Sequence, residues 1–212
     1  MLKIALMKKH FELLQSGLEI LGLEVPSLSL NKFTRYIELI EKWNKIFSLT
    51  AAKNREEIVI KHILDSLSIA KYIKGPEILD FGSGAGFPGI PLAILLSEYH
   101  FTLLDSLSKK TRFLQTVVVE LKLANVTIVN ERCENFFPKK NFSDIVTRAT
   151  CDLNVLMGIL RRLITPDTQV LAMQGKYPEE ELSRLSDPCR VIQLEVPYLE
   201  AARHLVCIEG RK

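Results

Sequence analysis

The segment that decides the fold is Ile78-Leu79-Asp80-Phe81-Gly82-Ser83-Gly84-Ala85-Gly86-Phe87-Pro88-Gly89-Ile90-Pro91. A short apolar run ends in an acid, and four glycines follow before an apolar, helix-like stretch. Glycine adopts positive φ without a steric penalty and has no Cβ to keep a ligand away from the backbone. The helix start behind the loop offers unpaired N–H groups. Because ligands of open α/β sheets bind at this end of the strands, we expect the functional site here.

The spacing of the glycines distinguishes between cofactors. A dinucleotide fingerprint that starts at Gly82 requires glycine at position 87, where this chain has Phe87, and no Gly-Lys-Ser/Thr of a P-loop follows. The remaining pattern, D-x-G-x-G-x-G, is typical of methyltransferases that use S-adenosylmethionine (SAM). SAM has a sulfonium cation and no phosphate, so Asp80 suits it better than a pyrophosphate.

Strands and helices alternate after residue 76, which predicts a parallel sheet covered on both faces. The predicted strands are Ile78–Phe81, Phe101–Leu104, Val126–Val129, Asp144–Arg148, Gln169–Met173, Arg190–Val196 and His204–Glu209. The predicted helices among them are Gly89–Leu96, Lys109–Leu123, Leu153–Leu163 and Glu179–Leu185. The last two strands have no helix between them and predict an antiparallel hairpin at one edge. The expected fold is α/β, the Rossmann-like, seven-stranded, mostly parallel class I SAM methyltransferase.

The first third of the chain predicts a helical extension. Apolar residues at three- and four-residue steps indicate helices over 8–22, 30–47 and 55–73. We expect Asn31 to cap the second of these helices. Gly75-Pro76 then interrupts the chain before the first strand. We therefore predict an N-terminal helical extension at 1–75 and a SAM-binding domain at 76–212.

Composition limits the function classes. Residues 1–75 contain twelve Lys/Arg and eight Asp/Glu, and this mildly basic balance is compatible with a nucleic-acid partner. No apolar run approaches the roughly 20 residues of a membrane span, so we expect no membrane association. The four cysteines form no C-x-x-C pair, which predicts no metal site, no redox pair and the reduced thiols of a cytoplasmic protein.

Two further strand ends predict cofactor contacts. Asp105 ends the second strand, where an acid hydrogen-bonds ribose hydroxyls in nucleotide-binding folds. Alternatively, Asp105 caps the helix that follows Leu107. Cys133 and Glu134 follow the third strand, where they could meet an adenine amino group.

The end of the fourth strand, Thr147-Arg148-Ala149, faces the expected methyl acceptor. It lacks the Asp/Asn-Pro-Pro-aromatic motif of enzymes that methylate exocyclic amines. Cys151 is a candidate nucleophile for a 5-methylpyrimidine enzyme, or simply a small buried side chain. Arg148 favours contact with phosphate or a purine edge. Guanine N7 is already nucleophilic, so its methylation would need mainly proximity and alignment.

With these residues assembled, the chain resembles the bacterial ribosomal RNA small-subunit methyltransferase G family, formerly glucose-inhibited division protein B. The matching segments are Trp43-Asn44, Leu49-Thr50, His62-Ile63-Leu64-Asp65-Ser66, Asp80 to Pro91, Leu103-Leu104-Asp105-Ser106, Lys109-Lys110, Arg112-Phe113-Leu114, Arg148-Ala149 and Arg203-His204-Leu205-Val206. The resemblance implies SAM-dependent methylation of guanine N7 in the 530 loop of 16S rRNA (guanine 527 in the family), with S-adenosylhomocysteine as product.

The resemblance also implies site residues. It places SAM contacts at Gly82, Phe87, Cys133, Glu134 and Arg148, to which the strand and loop pattern adds Gly84, Gly86 and Asp105. The arginines that match the family, and that we expect to contact RNA or the target base, are Arg132, Arg148 and Arg203. His62 and Asp65 are either supports of the active site or an ordinary helix pair.

The implied partner is 16S rRNA, free, in the small subunit or in an assembly intermediate, and we expect a monomer. One departure from the family is Gln174-Gly175-Lys176, where the family has Lys-Gly, so Lys176 is a candidate replacement for the family lysine. Two other functions stay open at this point. One is a SAM enzyme with a different acceptor, and the other is a binding module or NAD-dependent oxidoreductase on the same fold.

Overall fold

The computed structural model describes residues 2–148 and 151–210. Its seven-stranded sheet has the order β3-β2-β1-β4-β5-β7-β6, in which β7 is antiparallel to both of its neighbours and the other neighbouring pairs are parallel. The strands are β1 (Glu77–Phe81), β2 (His100–Leu104), β3 (Val126–Val129), β4 (Asp144–Arg148), β5 (Gln169–Gln174), β6 (Cys189–Leu194) and β7 (Arg203–Glu209). The predicted seven-stranded fold with its antiparallel edge hairpin is confirmed.

The helices cover the sheet and form the N-terminal extension. They are α1 (Leu2–Ile20), α2 (Ser27–Phe47), α3 (Arg55–Ile58), α4 (Asp65–Leu67), α5 (Gly89–Leu95), α6 (Ser108–Leu121), α7 (Leu153–Leu160) and α8 (Glu179–Arg184). Single 3₁₀ turns occur at Ala70–Tyr72, Cys133–Asn135 and Arg161–Leu163. Within the described ranges no helix is long and apolar enough to cross a membrane.

One hydrophobic core joins the extension to the sheet. Phe33 and Tyr36 of α2 are fully buried in the same cluster as Ile78 of β1, Phe101 of β2 and Phe113 of α6. Aromatic rings stack across this junction, with 6.5 Å between the ring centroids of Tyr36 and Phe113. The extension therefore packs on the sheet side that carries α5 and α6.

Two predictions about the extension are wrong. Asn31 is not the cap of α2, because the helix starts at Ser27 and Pro26 occupies the cap position. The carbonyl of Pro26 accepts the first helical hydrogen bonds, and proline suits a helix start because its fixed φ fits there and no N–H is needed. The single helix predicted over 55–73 is instead interrupted: α3 passes into a π-helical turn at Val59–Leu64 before α4 and a 3₁₀ turn.

The π-helical turn coincides with tertiary contacts that local sequence does not reveal. The N–H of Asp65 bonds the carbonyl of Ile60, five residues earlier. The Asp65 side chain, 3% exposed, contacts two arginines from distant strands. Wide turns of this kind are rare and often occur at functional sites.

Candidate functional site

The glycine loop after β1 lines a large cavity, which has a volume of about 870 Å³. Gly82, Gly84 and Gly86 all have positive φ, and the loop folds back so that the N–H groups of Gly82 and Ser83 bond the carbonyl of Leu104 at the end of β2. The cavity thus lies at the carboxyl ends of β1 and β2, as the sequence predicts.

The cavity brings together most of the predicted site residues. Those that line it are Gly82, Gly84, Phe87, Asp105, Arg132, Cys133, Glu134 and Arg148. Gly86 and Arg203 do not line it. Cys151, the candidate nucleophile, does line it, whereas Ala149 lies outside the described residues.

Gly86 allows Ile90 and Tyr36 to pack closely against the glycine loop. A Cβ at this position would lie 2.6 Å from Ile90 and 2.8 Å from the hydroxyl of Tyr36, and its φ of +94° also disfavours other residues. The Tyr36 hydroxyl donates a 2.5 Å hydrogen bond to the carbonyl of Ala85 in the same loop. The extension therefore stabilises the conformation of the glycine loop through Tyr36.

Asp80 does not face the cavity, which corrects the interpretation that it meets the cofactor cation. Its side chain is fully buried, and Oδ2 accepts a 2.9 Å hydrogen bond from the N–H of Gly89 at the start of α5. Oδ1 is a buried oxygen without a hydrogen-bond partner among the described residues. Burial raises the pKa of Asp80 to about 7. Because side chains alternate along a strand, it is the neighbouring Phe81 that lines the cavity.

Asp105 lines the cavity and binds two backbone N–H groups, but it is not the cap of α6, because Leu107 occupies the cap position. Its Oδ2 accepts from the N–H of Gly84 at 2.9 Å and its Oδ1 accepts from the N–H of Leu107 at 2.8 Å. Lys110 places its ammonium 3.6 Å from the same carboxylate. This carboxylate therefore ties the glycine loop to the start of α6.

The turn after β3 closes another wall of the cavity. Cys133 is buried, and burial raises the pKa of its thiol, whereas Arg132 and Glu134 on either side are exposed. Arg162 of the 3₁₀ turn after α7 donates to the carbonyls of Cys133 and Phe136 and holds this turn in place. Because β3 and β4 are separated by two strands in the sheet, Arg132 and Arg148 occupy different walls.

Phe87 lies beneath two polar side chains. The His62 ring stacks on it with 4.6 Å between centroids, and the Arg148 guanidinium carbon lies 4.8 Å from the ring centroid. Burial and the nearby charge of Arg148 lower the pKa of His62 to about 3, so this histidine is neutral at pH 7. The Thr50 hydroxyl hydrogen-bonds His62 Nε2.

Sequence reasoning assigned no role to several lining residues. They are Leu49, Thr50, Ala51, Ser83, Leu107, Lys110 and Ile159. The segment 49–51 follows α2 and contributes a wall from the extension. Leu49-Thr50 and Lys109-Lys110 belong to the matching segments of the family resemblance, and that was the available signal.

A smaller cavity of about 290 Å³ adjoins Arg148. It is lined by Lys61, His62, Asp65, Arg148, Met173, Gln174, Gly175 and Arg203. Arg148 lines both cavities. Gln174, the departure from the family lysine, lines this second cavity, whereas Lys176 is not among the residues that line it.

The large cavity fits SAM. Its volume falls within the usual range for small-molecule sites, and its floor is exposed loop backbone at positive-φ glycines. The carboxylates of Asp105 and Glu134 offer acceptors for hydroxyl and amino groups. Within residues 2–148 and 151–210, no group of three or more His, Cys, Asp or Glu side chains could hold a metal ion.

Comparison with known proteins identifies relatives. The family model for rRNA small subunit methyltransferase G matches residues 29–206. The chain is 43% identical over 203 residues to ribosomal RNA small subunit methyltransferase G of Nitrosococcus oceani, covering 94% of this chain and 95% of that protein. It is 42% identical over 201 residues to the protein of the same name from Coxiella burnetii, covering 95% and 98%.

A solved structure supports the fold alone. A SAM-dependent methyltransferase from Aquifex aeolicus superposes with a TM-score of 0.57 at 18% identity, covering 82% of this chain and 98% of that one.

Proposed function

This chain belongs to the rRNA small subunit methyltransferase G family, and from that premise we propose that it methylates N7 of a guanine in the 530 loop of 16S rRNA. Membership makes it a SAM-dependent rRNA methyltransferase. The observation that supports a purine ring nitrogen as acceptor is the position of Arg148, on the wall shared by the large cavity and its neighbour.

We propose that SAM occupies the large cavity and supplies an electrophilic methyl group. In this proposal the loop backbone at Gly82 and Gly84 contacts the methionine part. Asp105 accepts hydrogen bonds from the ribose, and Cys133 and Glu134 meet the adenine. Phe87 and Arg148 border the end of the cavity where the methyl acceptor arrives. Gly86 is a supporting residue of the loop, because it packs against Tyr36 and Ile90.

Alignment supplies the catalysis in this proposal. Guanine N7 has a lone pair at neutral pH, so no general base is needed, and the protein gains rate by holding N7 in line with the methyl group. Arg148 donates from the wall of the cavity and suits the O6 acceptor of guanine, which leaves the N7 lone pair free to attack the methyl group. Arg132 and Arg203 are proposed RNA contacts, on opposite sides of Arg148 in the order of the sheet.

We propose that residues 1–75 act as a helical extension serving the site of the SAM-binding domain at 76–212. Support comes from Thr50, which lines the large cavity, and from Tyr36, which bonds the glycine loop. We also propose that the protein is a cytoplasmic monomer. Its proposed substrate is 16S rRNA within the small subunit or an assembly intermediate.

The decisive experiment maps 7-methylguanine in 16S rRNA from cells that lack this protein. We expect one guanine of the 530 loop to be unmethylated, and purified protein with SAM to restore the modification. Naked 16S rRNA and isolated small subunits, assayed in parallel, distinguish the substrates. A 7-methylguanine content unaffected by the deletion would refute the proposal.

Calorimetry provides an independent test of the cofactor, because binding of NAD without binding of SAM would contradict the cofactor assignment.

A further inference from the structure

Asp65 joins two arginines that are far apart in sequence. Its Oδ2 lies 3.3 Å from Nη1 of Arg148, and its Oδ1 accepts a 3.0 Å hydrogen bond from Nε of Arg203. The Asp65 side chain is only 3% exposed, and each arginine side chain is 21% exposed. One nearly buried carboxylate therefore separates two half-buried guanidinium groups.

The topology explains how these residues meet. Arg148 ends β4, which runs parallel to β5. Arg203 begins β7, which runs antiparallel to β5 and pairs His204 with Gln174 at the far end of that strand. Both arginines therefore emerge at the same edge of the sheet. Asp65 reaches that edge from the extension, at the point where the π-helical turn meets α4.

Other contacts restrain the arginines in the same arrangement. Nη1 of Arg148 also donates to the carbonyl of Lys61, at 3.2 Å, and its guanidinium lies over Phe87. Nη1 of Arg203 donates to the carbonyl of Ala202 at 2.9 Å. A guanidinium has five N–H donors. These contacts leave N–H groups on both arginines with no protein acceptor among the described residues.

The charges around the small cavity favour an anionic or acceptor-rich ligand. Arg148 and Arg203 contribute two positive charges and Asp65 contributes one negative charge, while Lys61 is paired with Glu57 at 2.8 Å and His62 is neutral at pH 7. Removal of Asp65 would leave two guanidinium groups to repel each other at low exposure. The carboxylate is thus what permits both arginines to face the same small volume.

We propose that Asp65 is a positioning residue that holds Arg148 and Arg203 side by side at the small cavity, where together they receive one nucleotide of the RNA substrate. This inference rests on the proposed function and adds to it the residue that organises the RNA-facing donors. Arg148 borders both cavities, so the nucleotide held in the small cavity lies next to the cofactor.

The test compares Asp65→Asn with the wild-type chain on unmethylated small subunits. The asparagine keeps the shape but loses the charge, and its amide N–H groups oppose a guanidinium donor. We expect kcat/KM for RNA to fall on the order of 10–100-fold, as for other small displacements of substrate-holding groups. The dissociation constant for SAM should stay within about threefold, because Asp65 does not line the large cavity. Glu57→Gln is the matched control, since Glu57 precedes the same turn and pairs with Lys61 rather than with either arginine.

A double-mutant cycle separates positioning from general stability. If Asp65 acts through Arg203, the variant carrying both Asp65→Asn and Arg203→Gln should be no worse than the poorer single variant. Wild-type kcat/KM in Asp65→Asn, or losses that multiply in the double variant, would overturn the proposal. If Asp65→Asn does not fold, Asp65→Glu retains the charge one methylene further out. We then expect a raised KM for RNA with SAM binding intact, and an unchanged KM would overturn the proposal.

The outcome for the wild-type chain keeps the two proposals distinct. A wild-type protein that forms no 7-methylguanine refutes the proposed function, whatever Asp65 does. An active wild type with an equally active Asp65→Asn refutes only the positioning role.

Discussion

The imidazole of His62 lies almost parallel to the ring of Phe87, at an interplanar angle of 20°. One residue comes from the extension and the other from the glycine loop, so this stack joins the two parts of the chain at the wall of the large cavity. Arg148 lies over the same phenyl ring. The stack therefore links the glycine loop, the extension and Arg148.

Replacement of Phe87 by leucine should affect both stability and function. Phe87 is 4% exposed, and loss of its ring leaves a gap under His62 and Arg148, with an expected cost on the order of 1–3 kcal/mol. We also expect weaker SAM binding and slower methyl transfer. Urea unfolding and calorimetry measure the two effects. Phe101→Leu is the control, because Phe101 is fully buried in β2 away from the cavity. It should lose stability but retain SAM affinity, and equal losses of affinity would contradict the role of Phe87.

His62 should make folding sensitive to acid. Its pKa is lowered from 6.5 to about 3 in the folded chain, so its contribution to stability is complete above about pH 6.5. That contribution is lost as the pH falls towards 3, because His62 binds a proton in the unfolded chain but remains neutral in the folded chain. Between pH 6.5 and 5 the loss is about 2 kcal/mol. His62→Gln should show a shallower decline in unfolding free energy over this window. Parallel pH curves for the two proteins would exclude the effect.

Asp80 should act in the opposite direction. Its pKa is raised to about 7 by burial, so its contribution is fully present below about pH 4 and is lost as the pH rises through 7. Asparagine does not ionise. The stability of Asp80→Asn relative to the wild type should therefore increase by up to about 4 kcal/mol between pH 4 and pH 8. Denaturant titrations at the two pH values measure this difference, and a constant difference would show that Asp80 does not titrate in this range.

Two glycine-to-alanine changes form a matched pair. At Gly89 a Cβ would lie 2.4 Å from Oδ2 of the buried Asp80, so alanine should destabilise the chain on the order of 1–3 kcal/mol. At Gly158, in α7, no atom lies within 4 Å of such a Cβ. Alanine there should stabilise the chain by about 0.5–1 kcal/mol, because it lowers the entropic cost of forming the helix. The midpoints of urea unfolding should shift in opposite directions, and shifts of the same sign would contradict the close approach at Gly89.

Cys151 offers a direct test of the acceptor. It lines the cavity, where a 5-methylpyrimidine enzyme would need a thiol nucleophile. Methylation of a guanine ring nitrogen needs no covalent intermediate, so Cys151→Ser should retain at least about half of the wild-type kcat. The assay is incorporation of methyl groups from SAM into small subunits. A loss of activity with normal SAM affinity would favour the cysteine mechanism.

The periodic parts of the fold follow from the sequence. Apolar strands and glycine spacing are local signals, and they predict the seven strands to within two residues at each end. The interruption of the helix over 55–73 is not a local property, since it accompanies contacts between Asp65 and residues 148 and 203. The orientation of Asp80 also depends on a distant partner, the N–H of Gly89, which a strand pattern does not locate.

The candidate site was predictable at the strand ends and less so between them. Asp105 and Cys133 come after strands and Arg148 ends one. The carboxyl ends of these parallel strands share one edge of the sheet, so the proximity of the three residues follows from parallel topology. Arg203 lies close to Arg148 because of the register in which β7 pairs with β5. The residues of the turn before β7 do not predict that register. Thr50 approaches the cavity only because the extension packs across the sheet, which requires knowledge of the tertiary contacts.

The antiparallel direction of β7 has a consequence for the order in which the protein is built. Every residue that lines the large cavity lies at or before position 159, whereas the small cavity needs Arg203. During synthesis, the residues that line the large cavity therefore leave the ribosome well before Arg203 does. The two cavities share Arg148, but the small cavity is completed only when Arg203 has been added to the chain.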